Sequence, residues 1–307
     1  MNSPTTDPVR PDTMTALSRG TEGTPAAPRK TLSRADKLRL AADYEWHHLR
    51  GLRSTWIVLS VAAVLAIGNG LSLLLVADAN TAPTPAAVAD NLQWAPTATQ
   101  LPLLALLLIA IGTGSVSADL TRGTAPTTWL TAASRRTAFV AKVCVASLLV
   151  TATAVATALI AGVVGALALM LGGIPQPAWG ESLPALLRFV LVMACWPAVA
   201  ASVSALVRNR TATVLVLVLW PLIIERAVGV LVGRLLGADS LPGMLPFAAA
   251  RAAMSGAPDT GDGTDAALEQ TLLGSGLDPW TGVVVHALFT FAIGSAGAWA
   301  YCRRDAA

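Results

Sequence analysis

The sequence predicts an all-α integral membrane protein with six transmembrane helices behind an amphipathic surface helix, and three observations predict it. Of 307 residues, 54% are hydrophobic and only 13% charged, too apolar a balance for a soluble chain of this length. The apolar residues gather in runs of about twenty, the length a helix needs to cross a hydrocarbon core about 30 Å thick. The charges are sorted between the connecting segments, so that cations collect on one side of the runs and anions on the other.

Residues 1–32 are rich in Pro, Thr and Ser and carry no apolar stretch of the signal-peptide kind, which predicts a disordered cytoplasmic tail. The membrane domain is expected over 33–307. It opens with "LSRADKLRLAADYEWHHLRGLRSTW", where Ser33 and Asp36 form a helix start. Leu38, Ala41, Ala42, Leu49, Leu52 and Trp56 recur at helical spacing, and Lys37, Arg39, Arg50 and Arg53 make the other side cationic. Such a helix suits the surface of an anionic leaflet. Spans follow at about 56–77, 94–117, 138–171, 183–207, 211–233 and 280–302. The fourth requires Arg188 to reach toward its edge, and Pro197 stands in its middle.

Six spans place both termini on one side. Seventeen of the Lys and Arg residues then lie inside and four outside, whereas eight acids lie inside and ten outside. The net charge is +9 inside and −6 outside, which orients both termini to the cytoplasm. The basic pI of about 9.0 is thus a topology signal and calls for no nucleic acid.

Chemistry at membrane depth requires polar groups gathered there. HExxH, GxSxG, P-loop and EF-hand patterns are all absent from the sequence. Cys144, Cys195 and Cys302 stand singly in apolar surroundings, as small buried hydrophobes do. His47 and His48 are adjacent, about 100° apart on a helix, and cannot share a metal as an i,i+4 pair can. His286 reads as a hydrogen-bonded packing residue rather than a catalyst, Asn69 as a helix-to-helix hydrogen bonder more than the lining of a polar path, and Gly229, Gly233 and Gly237 as a small-residue face for self-association or for an internal contact. No convergent catalytic or metal-ligand set speaks for an enzyme.

The stretch "LWPLIIERAVGVLVGRLLG" carries Glu225 and Arg226 side by side in an apolar run. At about 1.5 Å per residue Glu225 lies about 21 Å from the inner boundary, roughly level with Arg188 of the preceding span. Two readings stand: a buried ion pair between Glu225 and Arg188 near an outer gate, with Arg226 beside it, or charges that simply end the helix.

Four segments carry a family likeness. They are "EWHHLRGLRSTW" at 45–56, "ADLTRGTAPTTWLTAASRRTAFVAK" at 118–142, "LWPLIIERAVGVLV…LPFAAARA" from 219, and the ending "YCRRDAA". In order and spacing these resemble the permease subunit of ABC-2 type ABC transporters, especially the single-domain actinobacterial permeases. Asp119 stands where that pattern has Glu, and Pro126 where it has Arg.

The resemblance implies a dimeric transmembrane pore, homodimeric or paired with a second permease, docked on a separate ATP-binding subunit that holds ATP and Mg. This chain would bind no cofactor and catalyse nothing. Carried over by position, the ATPase-coupling interface would comprise Glu45, Arg50, Arg53, Asp119, Arg122, Gly123, Thr124, Arg135 and Lys142. The likeness also implies a re-entrant helical segment between the fifth and sixth spans, a place in the cell membrane, and export of a hydrophobic or amphipathic compound such as a drug, antibiotic or lipid. On the residues alone, a channel or accessory scaffold without ATPase coupling is the other reading.

Overall fold

The computed structural model describes residues 33–77, 81–94, 101–122, 134–207, 209–237, 242–254 and 277–303, and their secondary structure is helical. The expected tail, 1–32, lies outside them. Five helices are long and apolar enough to cross a bilayer, the signature of a multi-pass membrane protein: Arg53–Leu75, Arg135–Leu171, Trp179–Val207, Arg210–Leu235 and Pro279–Arg303.

Helix α1, Arg34–Gly51, begins immediately after Ser33, as the sequence predicts. Ala41, Glu45 and Leu49, spaced by one turn each, form its buried face. Leu52 then adopts extended backbone, with φ −80° and ψ 120°, and breaks α1 from α2, Arg53–Val76. The Trp56 indole donates to the Arg50 carbonyl at 2.9 Å across this corner, satisfying an acceptor that the helix end leaves open.

Helix α3, Pro85–Leu92, starts with proline at its first position and the Thr84 hydroxyl accepting from the Ala87 N–H at 3.2 Å. It rests on α2, where the Asn69 side chain donates to the Asn91 carbonyl and the Asn91 side chain donates to the Ser72 hydroxyl. Asn69 therefore has the helix-to-helix role expected of it.

The second expected span, 94–117, is built differently. Trp94 lies outside any helix with φ 57°, and two short helices follow, α4 at Leu103–Leu107 and α5 at Ile109–Arg122. Leu108 leaves helical geometry between them, with ψ near 2°. The last carbonyls of α4 lose their helical donors there, and the Trp196 indole supplies one to Ala105 at 2.8 Å.

Helix α6, Arg135–Leu171, is capped by the Ser134 hydroxyl on the Thr137 N–H at 3.1 Å. Its 37 residues extend about 55 Å, well beyond a hydrocarbon core. Helix α7, Leu183–Val207, is the axis of the bundle. In its segment 61% of the apolar window is buried, against 17–33% in the other four long helices, whose Leu and Val side chains face outward. Close approach to α7 requires small residues: a Cβ on Gly297 would lie 2.5 Å from the Cβ of Ser202.

Helix α8, Arg210–Leu219, is capped by the Asn209 side chain. It runs through one wide turn, Trp220–Ile224, into α9, Glu225–Leu236. Pro221 has no N–H to give its turn, and the Glu225 N–H bonds to the Trp220 carbonyl five residues back. The charges at 225 and 226 therefore do not end the helix, which closes eleven residues later at Gly237, a left-handed residue with φ 60°. Helix α10, Pro246–Met254, is short and almost wholly buried. Helix α11, Pro279–Arg303, is capped by Asp278 and completes the bundle.

Candidate functional site

Among the described residues, the buried charged side chains and His286 lie at two places. The first surrounds α10. This helix has Leu245 in the capping position, where no side-chain oxygen is available, so the N–H groups of its first turn need an outside acceptor. Glu225 provides it: Oε1 accepts from the Phe247 N–H at 2.8 Å and the Ala248 N–H at 2.7 Å. At the other end, Nε of Arg188 donates to the Ala253 carbonyl at 2.7 Å. An anion at the first turn and a cation at the last complement the helix dipole, each by about 0.5–2 kcal/mol.

The wide turn at Trp220–Ile224 explains how Glu225 reaches this position. One extra residue in a turn rotates everything beyond it by about 100° about the helix axis. Glu225, Gly229 and Gly233 then share one buried stripe of α9, one turn apart. Of the small-residue face expected at 229, 233 and 237, Gly229 and Gly233 are buried, whereas Gly237 is exposed at the helix end.

The ion pair expected between Glu225 and Arg188 is not formed. The carboxylate and the guanidinium bind opposite ends of α10, a helix of nine residues and so about 13 Å long. Arg188 also lies over the Trp280 ring, 5.7 Å from its centroid. A third long helix contributes His286, whose Nδ1 is 3.0 Å from the Pro246 carbonyl at the start of α10. Side chains from α7, α9 and α11 thus converge on one short helix. Gly282 on α11 faces the Ala249 carbonyl so closely that no side chain fits there.

The second place is where α1 docks. Glu45 and Lys142, both expected at a partner interface, are buried against each other: Nζ donates to Oε2 at 2.9 Å, with the side chains 2% and 4% exposed respectively. They fasten α1 to α6 within a cluster of Ala41, Val116, Phe139, Ala201, Ala205 and Tyr301, which draws on α1, α5, α6, α7 and α11. Arg135 donates to the Cys302 carbonyl at 3.0 Å and so joins the start of α6 to the end of α11. Arg50 and Arg53 are exposed, whereas Arg226 is half-buried. Asp119 and Arg122 fall in the last turn of α5, and Gly123 and Thr124 lie outside the described residues.

Sequence reasoning brought Glu45 and Lys142 into one set without seeing that they meet. It missed the backbone groups of α10 altogether. The available signal was Leu-Pro-Phe at 245–247, a proline-led helix start with no capping oxygen of its own. Among the described residues no group of His, Cys, Asp or Glu is arranged to hold a metal ion. No protein-family model matches the chain, and no curated protein matches it.

Proposed function

We propose that this chain is the membrane-embedded permease subunit of an ATP-driven transporter of the ABC-2 type, exporting a hydrophobic or amphipathic compound. The observation that carries the reading is the buried Glu45–Lys142 tie. A surface helix that presents Arg50 and Arg53 outward has its inner face locked to α6, the longest helix of the bundle. The break at Leu52 means that α1 is not a rigid extension of α2. A load applied to α1 by a second protein is therefore borne by α6 and the cluster around it.

In this reading the α1 end faces the cytoplasm of a cell membrane, in keeping with the cationic connecting segments there. The stretch containing α4 and α5 supplies the sixth span, and α9 with α10 forms a re-entrant hairpin on the outer side. The separate ATP-binding subunit holds ATP and Mg, and two permease chains form the pore. Closure of the ATPase pair on nucleotide pushes α1 and shifts the pore between inward and outward states, and only contacts that differ between those states do work. Apolar walls built from Ala, Val and Leu suit an apolar cargo.

The test uses the full chain, co-expressed with a candidate P-loop ATPase from the same genome. Arg53→Cys, in a background with the three native cysteines replaced, is expected to crosslink to that ATPase with a yield that changes when a non-hydrolysable nucleotide is added. Absence of co-purification and of any nucleotide-dependent crosslink would overturn the reading in favour of a channel or scaffold.

A further inference from the structure

A hollow of about 180 Å³ lies between α7 and α11, lined by Leu191, Val192, Ala194, Cys195, Val283, His286 and Ala287. It is partly open, and Leu187, Val284 and Leu288 around it are exposed on the outward faces of the same two helices. It is thus reached from the surface that a lipid bilayer would cover. Its volume is close to that of an engineered apolar cavity of about 150 Å³ that holds a benzene-sized molecule.

Six of the seven lining side chains offer no strong hydrogen-bonding group; His286 does, and its chemistry is determined by its other nitrogen. The Pro246 carbonyl is an acceptor only, so Nδ1, 3.0 Å away, carries the hydrogen and donates. Nε2 of the neutral ring is then the lone-pair nitrogen, an acceptor. The residue is 1% exposed and Nε2 is buried without a hydrogen-bond partner. Leaving such an acceptor unpaired in an apolar interior is unfavourable. A water there would find one strong partner, where buried waters make about three hydrogen bonds.

We propose that this hollow binds a small apolar molecule carrying one hydrogen-bond donor, a phenol or alcohol in chemical class, with its O–H directed to Nε2 of His286. Because Nε2 is buried, an apolar lining side chain shifts as the occupant's O–H reaches it. The site needs no ATPase and no transport step. Its failure would leave the permease reading standing, and failure of that reading would leave the site standing.

Cys195 provides the measurement. In the Cys144→Ser, Cys302→Ser chain, purified into phosphatidylcholine nanodiscs, Cys195 is the one thiol, and its modification by a small uncharged maleimide is followed by intact mass. The probes are p-cresol and p-xylene, which differ by a hydroxyl in place of a methyl, compared at equal concentration in the bilayer phase. Both are expected to slow labelling, p-cresol at about tenfold lower concentration because one additional hydrogen bond to a buried acceptor is worth about a factor of ten.

His286→Phe is expected to erase the difference while p-xylene still protects. Ala194→Leu, which fills the hollow and leaves His286 in place, is expected to remove protection by both. If neither probe protects the unsubstituted site, or the two protect equally, the proposal is overturned. That comparison requires no variant at His286, so it decides the matter even if His286→Phe does not fold.

Discussion

Two buried carboxylates, Glu45 and Glu225, meet their cations in opposite ways. Glu45 takes Lys142 directly, in an ion pair between α1 and α6. Glu225 has Arg188 in the same neighbourhood and ignores it, because each finds a backbone partner on α10 first. The difference lies in what the surroundings leave unsatisfied. Glu45 and Lys142 meet across the sides of α1 and α6, whose N–H and C=O groups are already paired, so the charge finds a charge, while at the nearby end of α11 Arg135 takes the Cys302 carbonyl. Around α10 the buried surfaces include both ends of a helix, and these present unpaired N–H groups and carbonyls. A buried charge settles on whichever complementary group is not already paired.

The same substitution experiment should give opposite answers in the two regions. Removing one partner of the first pair, by Lys142→Met or Glu45→Gln, should have the largest effect. It leaves an uncompensated buried group, and thermal unfolding in detergent should report a loss of about 3–5 kcal/mol for Lys142→Met. The exchange Glu45→Lys with Lys142→Glu should recover most of that loss. The parallel exchange Glu225→Arg with Arg188→Glu should be worse than either single change, since both ends of α10 would then face a charge of the wrong sign. Recovery in this second exchange would show that Glu225 and Arg188 are an ion pair after all.

A smaller effect separates charge from hydrogen bonding at α10. Glu225→Ala should expose the Phe247 and Ala248 N–H groups at a cost of about 1–3 kcal/mol, whereas Glu225→Gln retains an acceptor and should lose less. Hydrogen exchange of the amides at 247–249 is the measurement, and equal exchange in the two variants would refute the capping role. The smallest effect belongs to the exposed face of α1. Arg50→Ala and Arg53→Ala should alter unfolding by less than about 0.5 kcal/mol, because neither side chain is buried. A much larger loss at Arg50 or Arg53 would mean that the outward face of α1 supports the fold.

Much of the architecture was legible from residue order. Long apolar runs become spanning helices because a chain in hydrocarbon must satisfy its backbone internally, and a helix does so within one segment. That rule needs only a local reading and located five of the six expected spans and the start of α1, but of the apolar face expected on α1 only Ala41 and Leu49 are buried, with Glu45 between them. It failed at 94–117, where apolar composition did not reveal the breaks at Trp94 and Leu108, because a break depends on backbone geometry that Leu and Trp do not advertise. In the sites, Arg188, Glu225 and His286 drew attention as polar residues in apolar surroundings, whereas Glu45 and Lys142 came from the family resemblance alone, as residues of a coupling interface.

Their partners did not follow from order. Lys142 is 97 residues from Glu45, and Ala253 is 65 from Arg188, so no periodicity connects them. The sequence by itself determined which segments are helical, which faces are apolar and which polar residues are anomalous, since those follow from local hydrogen bonding and transfer from water. Only the tertiary structure decided who satisfies whom, because that depends on which helix ends are brought beside which side chains. The one-residue slip at Pro221, which turns Glu225 toward α10, is enough to change the answer.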